Sequence, residues 1–306
     1  MLDQRRINPR AAPSVVKDLP AMALIDGDNG LGMVVGAFAM RVAIEKARTA
    51  GMAWVSVINS NHFGIAGYYA SLGLEENFIG ISMTNTPPLV SPVGGRGRRL
   101  GTNPIAVAFP ADKEPSVIVD MATTAISLGD AEIALRDGTL LPPSCIADAA
   151  GEPSQNPRDL FEGGSLLPLG GDLSTGGHKG YCLNAMVDLL CGVFPGASWG
   201  PFVPPFLDRP FLSEPTVGRG IGHVFAAISL GAFEDPAHVR TRIDHWVRTM
   251  RDTSPTTEGQ YVVVPGDPEM SAAASSARLG VALDIETQQG LRRLAEDLNI
   301  TFEEGF

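Results

Sequence analysis

The chain has 306 residues, 44% hydrophobic and 19% charged, an ordinary globular balance with enough length to bury a core. Its formal net charge of −11 argues against a nucleic-acid partner, because phosphate binding needs a basic surface, though a small anion can still be held by a few local cations or N–H groups. Cys145, Cys182 and Cys191 form no CxxC pair and suggest neither a zinc site nor a disulfide scaffold. MLDQRRINPR lacks a signal-peptide core, and no run of about 18 apolar residues marks a membrane span, so a cytoplasmic protein is expected.

Residues 1–30 read as an extended arm and a turn, broken by Asn8-Pro9, Leu19-Pro20 and Asp26-Gly27-Asp28-Asn29-Gly30, with a short strand at 21–25. Val35, Phe38, Ala39, Val42, Ala43 and Ala47 recur at helical spacing, which predicts a helix over 32–50, stopped by Gly51. The β-branched alternation that begins at Val55 predicts a buried strand. It runs into Asn59-Ser60-Asn61-His62-Phe63-Gly64 and a helix containing Tyr68 and Tyr69. A strand thus delivers His62 to a strand-to-helix turn. Ligand sites gather at such strand ends, and histidine titrates near neutrality. Two readings stand side by side: a proton-transfer residue, or a turn histidine held by backbone hydrogen bonds.

A strand follows at 79–83, then a loop over 84–104. Gly95-Arg96-Gly97-Arg98-Arg99-Leu100 is not GxGxxG and does not lead from strand to helix as a dinucleotide fingerprint must. Its glycines and arginines can cradle an anion, or form a glycine hairpin with solvated arginines, the reading its spacing favours. Strands at 105–109 and 117–120 form a hairpin and end on Asp120, which can cap the next helix or face a ligand. A weak helix is expected over 125–134, and 136–176 is poor in periodicity. Gly176-Gly177-His178-Lys179-Gly180-Tyr181 leads into a helix predicted over 182–194, with Cys182 and Cys191 as inert core residues. Glycines, a lysine and a helix N-terminus can cradle an anion; a capped core helix with exposed His178 and Lys179 is the equal alternative.

Residues 195–220 form a Pro/Gly-rich excursion. A strand over 223–230 precedes a helix starting at Asp235-Pro236, whose Val239, Ile243, Trp246, Val247 and Met250 make an apolar stripe. Arg240, Arg242, Arg248 and Arg251 are placed on its solvated side. Short strands are expected at 261–264 and 281–285, with helices at 271–278 and 286–298. In the last of these, Leu291, Leu294 and Leu298 form the buried face. The mixture of hairpins and helices predicts a mixed α/β sheet.

Several blocks together resemble the type-2 malate/L-lactate dehydrogenase family. They are Ile25-Asp26-Gly27-Asp28-Asn29-Gly30-Leu31-Gly32, Ser60-Asn61-His62-Phe63-Gly64 with Gly67-Tyr68-Tyr69, Leu100-Gly101-Thr102-Asn103-Pro104, Val119-Asp120-Met121-Ala122-Thr123, His178-Lys179-Gly180-Tyr181 and, more weakly, Pro265-Gly266-Asp267. They occur in the family's order. The resemblance implies a non-Rossmann nicotinamide-cofactor fold, using NAD or NADP, and hydride transfer at C2 of a small 2-hydroxy or 2-oxo carboxylate or a cyclic imino acid. It makes His62 the acid/base, and Asp120, Met121, Ala122, His178, Lys179, Gly180, Thr102 and Asn103 cofactor-binding residues. Asn61 and Tyr68 become substrate-binding residues, with no metal. It further implies a homodimer, a part built from 1–64 and 205–306, and a central cofactor-binding part over 65–204.

Three departures accompany it. The family's Ser-His-Gly-x-x-Arg segment, which helps bind the substrate carboxylate, is not among these residues, which begin just downstream of it; loss of its arginine removes a charge-assisted contact of about 1.5–3 kcal/mol. A late gene start, a truncation and a real loss are the three explanations. A usual Gly-Lys pair reads Gly129-Asp130, and a usual tryptophan is missing from 143–148. The alternative function is therefore a catalytically impaired or non-catalytic cofactor-binding homologue. A hydrolase built on Cys145 or a serine lacks a GxSxG elbow.

Overall fold

The structure, a computed structural model, describes residues 7–205, 217–257 and 259–301. It opens with an antiparallel pair, β1 (Ser14–Leu19) and β2 (Met22–Asp26). Helix α1 (Gly32–Ala50) then carries the chain to β3 (Met52–Ser60), which lies parallel to β2, the crossover that a parallel pair requires. Val35, Ala39, Ala43 and Ala47 of the stripe predicted from the sequence are buried on α1, joined by Met40, whereas Phe38 and Val42 are only partly buried. Gly51 ends the helix at a φ of 81° and returns its N–H to the Ala47 carbonyl, a backbone state that glycine enters without a Cβ penalty.

After β3 come a short helix α2 (Ala66–Ser71), β4 (Phe78–Thr84), β5 (Ile105–Phe109) and β6 (Val117–Met121). Next are α3 (Leu128–Asp137), the short strands β7 (Ile146–Ala147) and β8 (Pro153–Ser154), α4 (Pro157–Phe161) and β9 (Ser165–Leu166). The chain continues with α5 (Gly177–Asp188), β10 (Ile221–Ser229), α6 (Pro236–Arg251), α7 (Asp267–Leu279) and α8 (Ile285–Leu298). Seven strands form one mixed sheet in the order β1-β2-β3-β10-β4-β5-β6, and β8-β7-β9 form a second. The large sheet draws strands from both the 1–64/205–306 part and the 65–204 part. Its main core joins α1, α2 and the sheet through Phe63, Tyr69, Phe78 and Phe225; each such side chain contributes about 1.5–3 kcal/mol by leaving water. A satellite core of Leu89, Val90, Leu160 and Leu166 underlies the small sheet.

Several expectations need correction. Residues 14–19, expected as an extended arm, are an edge strand, and 136–176 contains three strands and a helical turn rather than one loop. The helix expected from 182 begins at Gly177, and its last turn, Leu189–Val193, widens to π geometry. No strand forms at 261–264 or 281–285. Cys182 is exposed, whereas Cys191 is buried. Leu291, Leu294 and Leu298 are exposed, with only Ala295 of α8 buried. Arg251 does not face solvent freely but turns inward to pair with Glu114 and Asp267, both at 2.7 Å. Arg98 likewise bonds the carbonyls of Gly164 and Leu160, so the glycine hairpin is tied down through it. Residues 1–6 of the expected arm and 206–216 of the Pro/Gly excursion lie outside the described residues.

The helix expected over 125–134 is α3, which starts at a capping box. The Ser127 hydroxyl accepts the Asp130 N–H at 3.1 Å, and Asp130 accepts the Ser127 N–H at 2.8 Å. Ser127→Ala is expected to cost about 1 kcal/mol, read as a lower urea midpoint at unchanged slope.

Candidate active site

The site is built on the carboxyl end of β3. Asn59 adopts a left-handed φ of 57°, sparsely populated for a residue with a side chain. Its amide donates to Asp26 at 2.7 Å across the ends of two parallel strands. Asn61 is buried, and its amide nitrogen is shared among the Asn29 carbonyl, the Asn29 side chain and the Gly30 carbonyl at 2.9–3.1 Å. The Asp26–Gly30 turn is thus nailed to the corner that carries His62. The first residue of α1 completes the corner: a Cβ on Gly32 would lie 2.1 Å from the Asn61 carbonyl and 2.4 Å from that of His62. Only a glycine lets that helix end approach so closely.

His62 itself reaches the surface. The protein still crowds it enough that desolvation holds its pKa below the ordinary 6.5. Its Nδ1 accepts the Gly64 N–H at 3.3 Å. Phe63 turns inward and stacks on Tyr69 with centroids 4.8 Å apart. The Tyr69 hydroxyl donates to the Phe63 carbonyl, and burial, with neighbouring Tyr68 second, pushes its pKa up to about 12. Tyr69 is therefore a neutral strut, while Tyr68, 56% exposed, stands on the open face.

The other predicted site residues join this corner through a chain of hydrogen bonds. Asp120, at the end of β6, accepts the Gly67 N–H in the first turn of α2 at 2.7 Å. Desolvation raises its pKa, opposed by that bond. Asp120 thus caps α2, beside Tyr68, and not the helix that follows it in the chain, which is capped by Ser127 instead. Met121 is exposed and Ala122 half-buried beside it. Thr123 then donates its hydroxyl to the carbonyls of Thr102 and Asn103, both at 3.0 Å. Asn103 is fully buried: its Oδ1 accepts the Thr86 N–H at 3.0 Å and its Nδ2 donates to Asn184 on α5 at 2.9 Å. Both ends of that amide are thereby committed to the fold. Thr102 remains half-exposed.

From Thr123 the chain of contacts reaches α5, since Leu169 N–H donates to the Thr123 carbonyl at 3.0 Å. Gly180 sits on Leu169, where a Cβ would come within 2.1 Å of its carbonyl. His178 and Lys179 occupy the exposed first turn of α5, which has no side-chain cap. A lysine and an uncapped helix N-terminus suit an anionic group such as a pyrophosphate. The exposed Met121 and the half-buried Ala122 and Thr102 supply apolar and hydroxyl surface. The donor set therefore fits a dinucleotide. Among the described residues no three His, Cys, Asp or Glu side chains converge as metal ligands, and no helix is long and apolar enough to cross a membrane.

Two participants were not singled out from the sequence. Asn184 sits among apolar helix residues, and His223 interrupts an otherwise apolar strand, which was the available signal. His223 is wholly buried beneath the corner, its ring stacked on Phe63 at 4.8 Å and 12°.

Known proteins share this architecture. A malate dehydrogenase of Pyrococcus abyssi is 37% identical over 295 residues, 96% of this chain and 79% of that protein. The crystal structure of malate dehydrogenase from Entamoeba histolytica superposes with a TM-score of 0.92 at 31% identity, covering 99% of this chain and 84% of that one. That of delta1-piperideine-2-carboxylate reductase from Pseudomonas syringae pvar. tomato gives 0.80 at 31% identity, covering 96% and 82%. The family model described as malate/L-lactate dehydrogenase matches residues 1–292, and the chain belongs to that family.

Proposed function

We propose that the protein is an NAD(P)-dependent oxidoreductase of a small 2-hydroxy or 2-oxo acid, or of a cyclic imino acid. The observation that carries this reading is the placement of His62: a neutral, solvent-reaching imidazole on a rigid strand end, joined by hydrogen bonds to a wall that suits a dinucleotide. When bound, the nicotinamide supplies or takes the hydride exchanged with C2 of the substrate. His62 takes the substrate hydroxyl proton in oxidation and returns it to the oxygen, or to an imine nitrogen, in reduction. Asn61 holds His62 in place from the buried side, and Tyr68 offers a hydroxyl at the open face. Lys179 and the α5 N-terminus hold the cofactor's phosphates, with Met121, Ala122 and Thr102 lining its path. Asp120 orders the first turn of α2 beside them. The exposed leucines of α8 and the exposed Val15, Val16 and Leu19 of edge strand β1 provide surface for a homodimer. The cofactor-binding part is assigned to the middle of the chain, and the part built from the termini to substrate and subunit contacts.

A second reading, cofactor binding without turnover, draws support from Asp130. Where the family usually places a lysine, this carboxylate is engaged in capping α3. Titration with NADH and with NADPH, followed by nicotinamide fluorescence, tests the shared premise. Saturable binding of one or both is expected, and no binding at roughly millimolar concentration rejects both readings. Turnover of pyruvate, oxaloacetate and a cyclic imino acid then separates enzyme from binder.

A further inference from the structure

His223 has no part in the chemistry above, yet its surroundings are those of a device. It lies on β10, between β3 and β4, with no exposed surface. Its Nε2 is 2.8 Å from the hydroxyl of Ser60, the last residue of β3. Its Nδ1 is 2.7 Å from the hydroxyl of Thr84, the last residue of β4. In a neutral ring one nitrogen donates and the other accepts, and the two hydroxyls, each able to do either, satisfy both. Phe63 stacks flat upon the ring. Ser60 and Phe63 are thus both held by one imidazole, and between them lie Asn61 and His62.

We propose that His223 is a positioning residue for the reaction: it clamps the chain on both sides of His62 and so fixes the direction in which His62 faces. The inference rests on the acid/base reading of His62. The strand register shows why a clamp is needed here. The β10–β3 pairing is irregular between Ile221 and His223, and Asn59 is left-handed. The corner therefore leaves the regular ladder just before His62, and side-chain bonds take over from backbone ones. Ser60 and Thr84 tie the corner to two strands at once, which makes His62 part of the sheet rather than of a loop. A neutral clamp also places no second positive charge under His62 when that ring carries its proton.

The test uses Ser60→Ala, which removes one hydroxyl from a buried site, together with His223→Gln and His223→Phe. Two readouts are taken on the full chain. Carbethoxylation of His62 by diethylpyrocarbonate, followed by mass spectrometry in cofactor-free protein, reports the freedom of its ring without turnover. Steady-state kinetics separate kcat from KM. Ser60→Ala is expected to change the His62 modification rate by at least about 3-fold and to lower kcat by about 10-fold, with KM within about 2-fold, because misplacement of a catalytic group acts on the chemical step. His223→Phe, which keeps the stacking alone, is expected to fall further than His223→Gln, which keeps one hydrogen bond. A Ser60→Ala protein whose His62 modification rate matches the parent's overturns the inference, whatever happens to kcat and whether or not the His223 variants fold. If His62→Ala instead retains full turnover, the acid/base reading fails, and the modification rates still report whether the clamp exists.

Discussion

Replacing His62 by alanine is expected to lower turnover by about 10²–10⁴-fold, the usual contribution of a positioned acid/base. The imidazole stands on a corner held by Asn61, Phe63 and the end of α1. Tyr69, a buried hydroxyl of the corner, is engaged with the Phe63 carbonyl, and its pKa of about 12 removes it as a proton acceptor near neutrality. Binding of the cofactor to the His62→Ala protein is expected to persist, since its phosphates are assigned to α5. The pH dependence follows from the lowered pKa of His62. Oxidation needs the neutral ring and is expected to have reached its plateau by neutrality. Reduction needs the protonated ring and is expected to rise as pH falls through a value below 6.5. Turnover of the alanine variant within about 2-fold of the parent removes His62 from the mechanism.

A shift from about pH 7.5 to about pH 5 is expected to remove about 2 kcal/mol of folding stability through His223 alone. Burial, with the nearby His62 second, pulls its pKa to about 3. An unfolded histidine takes up a proton below its ordinary value, and the native ring does not. Stability contributed by His223 is therefore full above about 6.5, falls with each unit of acidification, and stops falling only near 3. His62, also lowered by desolvation, acts in the same sense. Asp26, Asp244 and Asp267 are lowered as well, but carboxylates with an ordinary value of 3.8 lose their contribution only in stronger acid. Asp120 and Asp188, raised chiefly by desolvation, work the other way. The clean measurement is thus a difference: urea unfolding of parent and His223→Gln at both pH values. The glutamine protein is expected to lose about 2 kcal/mol less, and parallel losses in the two proteins refute the assignment.

The sequence made some elements plain because their physics is local. The α1 stripe and its glycine stop lie within one helix, and the β5–β6 hairpin is bracketed by its own turn. What failed depended on partners distant in sequence. Residues 261–264 and 281–285 have strand-like composition, but no neighbouring strand offers them a ladder, and composition alone does not make a strand. The strands of 136–176 are two residues long, too short to carry a period. β1 is exposed along its whole length, so it shows no alternation of buried and exposed positions. Gly177 and Gly180 disguise the first turn of α5, because glycine is a poor helix former and is here selected by the close approach of Gly171 to Gly177 and of Leu169 to Gly180. Within the site, the signature blocks were legible as residues, but their division of labour was not. That Asn61 and Asn103 act as pins, and that Asp120 caps α2, depends on contacts spanning tens of residues. His223 was visible only as one polar letter in an apolar strand.

The position of β10 also dictates an order of assembly. During synthesis the first six strands emerge as two half-sheets, β1-β2-β3 and β4-β5-β6, whose inner edges face each other without a shared partner. The strand that belongs between them is made about a hundred residues later, from Ile221 onward. Until it leaves the ribosome, β3 and β4 present open edges, the kind of surface that invites pairing with another chain. Closure joins contacts far apart in sequence and is slow for that reason. The same event inserts His223 between Ser60 and Thr84, so the corner that carries His62 and the finished sheet come into being in one step.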